Sequence, residues 1–164
     1  MRKLSLTEWA SLGEVIGTAA VVISLLFVTY SIKQNTNALQ GQTENILFER
    51  HAELANQLVS DPSMAAILVK MRGVNPQLSA IESVRWEKYQ LNMVDIWALA
   101  YTRHRDQLLS DPQWQAWDGY FTETFSTGGE KITRQQWNAL VNGFDRGFWE
   151  HVDAELFRQN PSSD

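Results

Sequence analysis

From Val15 to Ile32 the chain reads VIGTAAVVISLLFVTYSI, eighteen residues whose one ionisable side chain is Tyr30, and beyond Lys33 apolar residues return only at helical spacing. At about 1.5 Å rise per residue such a run forms a helix of roughly 27 Å, close to the hydrocarbon thickness of a bilayer. The pattern therefore predicts a transmembrane helix over 15–32. Residues 1–14 then form an N-terminal interfacial segment, with Trp9 as the anchor at the water boundary. Two other readings compete. Arg2 and Lys3 resemble the charged start of a secretory signal, but the apolar run exceeds an ordinary signal core of about 7–15 residues, Glu8 and Glu14 precede it, and no A-x-A site follows. A buried soluble helix would need protein on every side, and 164 residues leave little to supply it.

The remainder predicts helices and no strand, so the expected fold is all-α: one transmembrane helix, able to continue into a stalk helix, plus a compact helical bundle. Leu39, Ile46, Leu47, Leu54, Ala55, Leu58 and Val59 give residues 33–60 a helical period. Ser60-Asp61-Pro62 stops that helix and starts a short one over Pro62 to Met71, ended by Gly73. Ser79-Ala80-Ile81-Glu82 has capping-box spacing and opens a helix reaching about Leu109, whose Trp86, Leu91, Val94, Ile96, Trp97, Leu99, Ala100 and Tyr101 form the expected core face. Ser110-Asp111-Pro112 begins a helix over Gln113 to Phe125, Thr133 caps one over Arg134 to Val141, and Asn142-Gly143 separates that from Phe144 to Arg158. The helical domain is expected over 61–159, with 160–164 a disordered tail. The hexapeptide Gln57-Leu58-Val59-Ser60-Asp61-Pro62 is echoed by Gln107-Leu108-Leu109-Ser110-Asp111-Pro112, which predicts that two long helices end with one device.

Gly13, Gly17, Ala20 and Ser24 fall on one face of the first helix, where small side chains permit the close approach that drives helix association in lipid. Self-association into a homo-oligomer is expected there. Charge changes the picture for the rest: residues 34–164 carry 11 Lys and Arg against 17 Asp and Glu, an acidic surface that argues against nucleic acid as a partner. With no cysteine, thiol nucleophiles, thiolate metal sites and redox pairs are excluded. There is no His-Glu-x-x-His, P-loop, Gly-x-Gly-x-x-Gly or Gly-x-Ser-x-Gly motif, so no catalytic, cofactor-binding or metal-binding residue is assigned and no cofactor is expected. Four polar residues lie among apolar ones: His51, Asp95, Arg103 and His104. If they face the core, burial requires them to pair, with Asp95 beside a histidine or Arg103. They are the candidate polar cluster.

The segment Val21 to Leu39, VVISLLFVTYSIKQNTNAL, resembles the membrane-exit region of a family of small uncharacterised bacterial single-span proteins in which the span ends in a polar Gln-Asn-Thr stretch. Ser60-Asp61-Pro62, the aromatic helix with His104, Leu109 and Trp114 near its end, and Phe148-Trp149 resemble that family in the same order, over most of the chain. The resemblance implies a bacterial inner-membrane protein with a helical soluble domain, and it implies no activity. Family members often carry several cations just after the span, favouring a cytoplasmic domain; here Lys33 stands alone, and the cytoplasmic side is only weakly favoured. The expected function is a membrane-anchored interaction or scaffold protein. An enzyme or small-ligand sensor built on the polar cluster is the alternative, and an oligomeric pore a further one.

Overall fold

A computed structural model describes residues 6–73, 75–127 and 130–157. Among them are six α-helices and no strand: α1 (Leu6–Ser60), α2 (Pro62–Met71), α3 (Ala80–Arg105), α4 (Asp111–Ser126), α5 (Arg134–Leu140) and α6 (Arg146–Phe157), with a 3-10 turn at Val141–Gly143 between the last two. The fold is all-α, as the periodicity predicts. The chain divides into two units, Met1–Gly41 and Gln42–Asp164. The second therefore takes in part of what the sequence suggested as stalk, because Thr43, Leu47 and Leu54 of α1 are buried in it. The expected tail at 160–164 and the first five residues lie outside the described residues.

Among the described residues one helix, α1, is long and apolar enough to cross a membrane, and its most apolar stretch, in the first unit, is exposed. Leu25, Leu26 and Phe27 all stand open, as does Trp9. Thr18, Ser24 and Thr29 donate their hydroxyls to the carbonyls of Glu14, Ala20 and Leu25, one turn back in the same helix. Each polar group is thereby satisfied without a partner, as an apolar surrounding demands. Gly13, Gly17, Ala20 and Ser24 are exposed together, and a Cβ added at either glycine would meet nothing within 4 Å.

In the second unit, the caps set the corners. Asp61 accepts from the backbone N–H groups of Ser63 and Met64 and places Pro62 in the first turn of α2, where its missing N–H costs nothing. Arg85 of α3 pairs with the same carboxylate. Ser79 and Glu82 form the anticipated capping box, with Lys70 of α2 on Glu82; the lysine and the two Ser79 hydrogen bonds together lower the Glu82 pKa to about 2. Thr133 and Gln136 bond reciprocally at the start of α5, and Asp145 accepts from Gly147 and Phe148 at the start of α6.

The end of α3 differs from the sequence reading. The helix stops at Arg105 rather than near Leu109, because Gln107 turns into the left-handed region at φ 61°. Leu108 N–H then reaches the Arg103 carbonyl at 2.8 Å and Gln107 N–H the His104 carbonyl at 2.9 Å, the paired bonds of a Schellman ending. The two echoed hexapeptides therefore work differently. In the first, α1 runs through Ser60 and Asp61 is the cap; in the second, the helix has already ended and Ser110 is the cap. A left-handed position tolerates glycine and penalises a branched Cβ by about 1–2 kcal/mol. Gln107→Ile is accordingly expected to lower stability by about 1 kcal/mol and Gln107→Gly to leave it equal or higher, an ordering that urea unfolding checks.

α3 lies at the centre, closest to α2, α4 and α6. Its Trp86, Met93, Val94, Ile96, Trp97 and Ala100 are buried, and Trp97 is fully enclosed by the rings of Phe121 and Phe125 from α4 and Phe148 from α6. Leu91 and Leu99, expected on the core face, and Tyr101 are only partly buried. Gly147 lets α6 close onto α3, since a Cβ there would fall 2.7 Å from the Tyr101 hydroxyl.

Candidate functional site

Two polar arrangements stand out, and neither is the expected cluster of His51, Asp95, Arg103 and His104. Those four are dispersed. Asp95 is exposed, on a stripe with Lys88 and Asn92, although Val94, Ile96 and Trp97 around it in sequence are buried. Partial desolvation raises its pKa, with Arg50 of α1 opposing that shift, and no histidine or Arg103 pairs with it. His104 bonds to Asp111 at 2.9 Å and lies flat on Trp114, ring centroids 5.3 Å apart, so it braces the α3–α4 corner. Arg103 offers its backbone carbonyl to the Schellman turn. His51 takes a different partner, Tyr120 of α4.

The first arrangement is interior. Asp118 Oδ1 accepts from Trp97 Nε1 at 2.7 Å and lies 2.7 Å from His151 Nε2, joining α3, α4 and α6 through one carboxylate. The rings of Trp97, Tyr101 and Trp114 surround His151. The signal for this group was in the sequence: Asp118 follows Trp114 by four and precedes Phe121 by three, and His151 follows Phe148 by three. With its three members on three helices, the group serves as a fastener, a partly buried carboxylate held by two partners.

The second arrangement opens to solvent. Glu44, Phe48 and His51 occupy i, i+4 and i+7 on α1, and Gln113, Trp117 and Tyr120 repeat that spacing on α4, each 69 residues later. The two stripes meet rung by rung. Gln113 Nε2 donates to Glu44 Oε2 at 2.6 Å, Phe48 and Trp117 rings stand 5.2 Å apart, and His51 Nε2 lies 2.9 Å from the Tyr120 hydroxyl. Matching order along both stripes means that α1 and α4 run in the same direction here. Gln113 is fixed at its other end, where its Oε1 accepts from both N–H and Oγ of Ser110 at the α4 cap.

Beside the ladder lies a cavity of about 440 Å³, walled by Phe48, His51, Trp117 and Tyr120 and edged by Glu44 and Gln113. Burial lowers the His51 pKa and raises that of Tyr120, so at neutral pH the imidazole is mainly uncharged and the phenol keeps its proton, and Nε2 and the hydroxyl share one hydrogen bond. The wall is apolar, and Glu44 is its one carboxylate. The cavity has the size and mix of an ordinary small-molecule site, of about 300–1,000 Å³ with few polar groups. No group of three or more His, Asp or Glu suited to a metal ion occurs among the described residues.

Comparison with protein-family models, with curated proteins and with solved structures found no match. The functional reading therefore stands on geometry and chemistry.

Proposed function

We propose that this chain is a single-pass protein of the bacterial inner membrane, akin to the small single-span family its sequence resembles, whose helical domain faces the cytoplasm and serves as an interaction module. The observation that carries the reading is the exposed apolar run of α1, none of whose most apolar window is buried in protein. Burial along α1 begins only at Thr43 and the apolar core at Leu47, so the domain holds together through residues that do not belong to that run. The apolar residues of that run, exposed together in water, form a surface far larger than soluble proteins display. Lipid removes that conflict. The hydroxyls of Thr18, Ser24 and Thr29, each bonded back to a carbonyl of its own helix, favour an anchor over a pore.

Self-association follows from the small-residue face. In lipid, helices approach through van der Waals contact where side chains are small, and Gly13, Gly17, Ala20 and Ser24 present such a face uncovered. The test has two readouts. The intact protein is expected to stay in the pellet when bacterial membranes are washed with carbonate, and to crosslink as an oligomer in mild detergent that Gly17→Leu dissociates. Release by carbonate would overturn the anchor, and an oligomer unaffected by Gly17→Leu would overturn the association face.

A further inference from the structure

The cavity between α1 and α4 has more specific chemistry than an apolar cleft. Its rings do not lie parallel: Phe48 meets Trp117 at 55°, His51 meets Trp117 at 70°, and Tyr120 meets His51 and Trp117 both at 86°. Rings at such angles with centroids 5.2 to 6.5 Å apart do not form a parallel stack, and all four line the same cavity. The far face of Trp117 is backed by Phe121 at 5.8 Å, which holds the indole in place. Ring faces carry negative potential and attract a cation brought within about 6 Å, and a cavity lined by several rings suits a cation too weakly hydrated to resist leaving water. Glu44 adds a full negative charge at the edge, and no lysine or arginine lines the cavity. The neutral imidazole of His51 adds no positive charge to oppose a cation.

We propose that this cavity binds a small organic cation of the quaternary ammonium class, with choline as its simplest probe, taken as a free solute. Methyl groups on nitrogen spread the charge and lower hydration, which matches aromatic walls. A primary ammonium or a metal ion keeps its water more firmly. The Glu44 carboxylate, held toward the cavity by Gln113, attracts the cation but repels a phosphate beside it, so a free cation fits better than a phospholipid headgroup. The inference is independent of the membrane reading, because every residue it uses lies in the second unit.

The experiment titrates the full-length protein, in uncharged maltoside detergent, with choline chloride against matched sodium chloride, followed by calorimetry and tryptophan fluorescence. Saturable binding is expected, with the neutral isostere 3,3-dimethyl-1-butanol at least about tenfold weaker and phosphocholine weaker than choline. Glu44→Gln removes the charge but can still accept from Gln113, and Phe48→Leu removes a ring that is 55% exposed and so leaves the fold intact. Each is expected to weaken choline about fivefold or more. Failure of choline to saturate, equal binding of the neutral isostere, or unchanged affinity in both variants overturns the site. Tighter binding of phosphocholine overturns the choice of a free solute.

Discussion

Replacing Trp97 by alanine is expected to remove a large share of the helical domain's stability. The indole has no exposed surface, packs against rings of Phe121, Phe125 and Phe148, and donates to Asp118. Truncating a buried Trp to alanine typically costs about 3–5 kcal/mol, and a domain of this size is stable by about 5–15 kcal/mol in all. Asp118 also loses one of its two partners, which for a partly buried carboxylate adds to the loss. Trp97→Phe separates the contributions. It keeps a ring among the same neighbours but removes the N–H, so its cost is expected to be about 1–3 kcal/mol, well short of alanine. Denaturant unfolding followed by near-ultraviolet circular dichroism checks the order. A Trp97→Ala protein within about 1 kcal/mol of the parent would contradict the placement of Trp97 at the junction of α3, α4 and α6.

The corners of this fold were legible because their causes are local. Asp61 before Pro62, Ser79 with Glu82, and Thr133 with Gln136 each satisfy helix-end N–H groups within three residues, and each begins the helix it was expected to begin. The end of α3 was not legible, since no residue there advertises a left-handed turn. Gln107 adopts it because Leu108 and Gln107 can both reach back to α3 carbonyls. The echoed hexapeptides show the limit of local spelling: one register places Asp at the cap and the other places Ser there, according to where the preceding helix stops.

The site divides along the same line. Asp95 was misplaced because Met93-Val94 and Ile96-Trp97 surround it in sequence, while the helical turn sets it on the outer stripe with Lys88 and Asn92. Period, rather than proximity, decides facing. The same criterion of a polar residue on an apolar stripe, applied to every helix, would have found Asp118 and His151. The ladder of Glu44, Phe48 and His51 with Gln113, Trp117 and Tyr120 has equal spacings in both stripes, yet nothing in one stripe names the other as its partner. That pairing belongs to the packing of α1 on α4 and lies beyond the reach of either segment alone.

A paired substitution in the apolar run carries the other large effect. Ile23 and Leu26 lie near the middle of 15–32, both exposed, and arginine at the centre of a membrane helix costs about 2.5–3.5 kcal/mol per residue by insertion scales. Ile23→Arg with Leu26→Arg together cost roughly twice that, enough to move most of the protein out of the membrane. The expected result is a shift of the double variant from the carbonate-resistant pellet to the soluble or degraded fraction. Ile81→Arg with Val84→Arg is the control, because Ile81 and Val84 are 75% and 57% exposed near the start of α3, where charges meet only water. It should leave partition unchanged. The two changes are alike in chemistry and in exposure, so a difference between them can come only from the solvent each helix meets. If both variants fractionate as the parent does, lipid does not surround the apolar run, and some other cover must then account for its exposed residues.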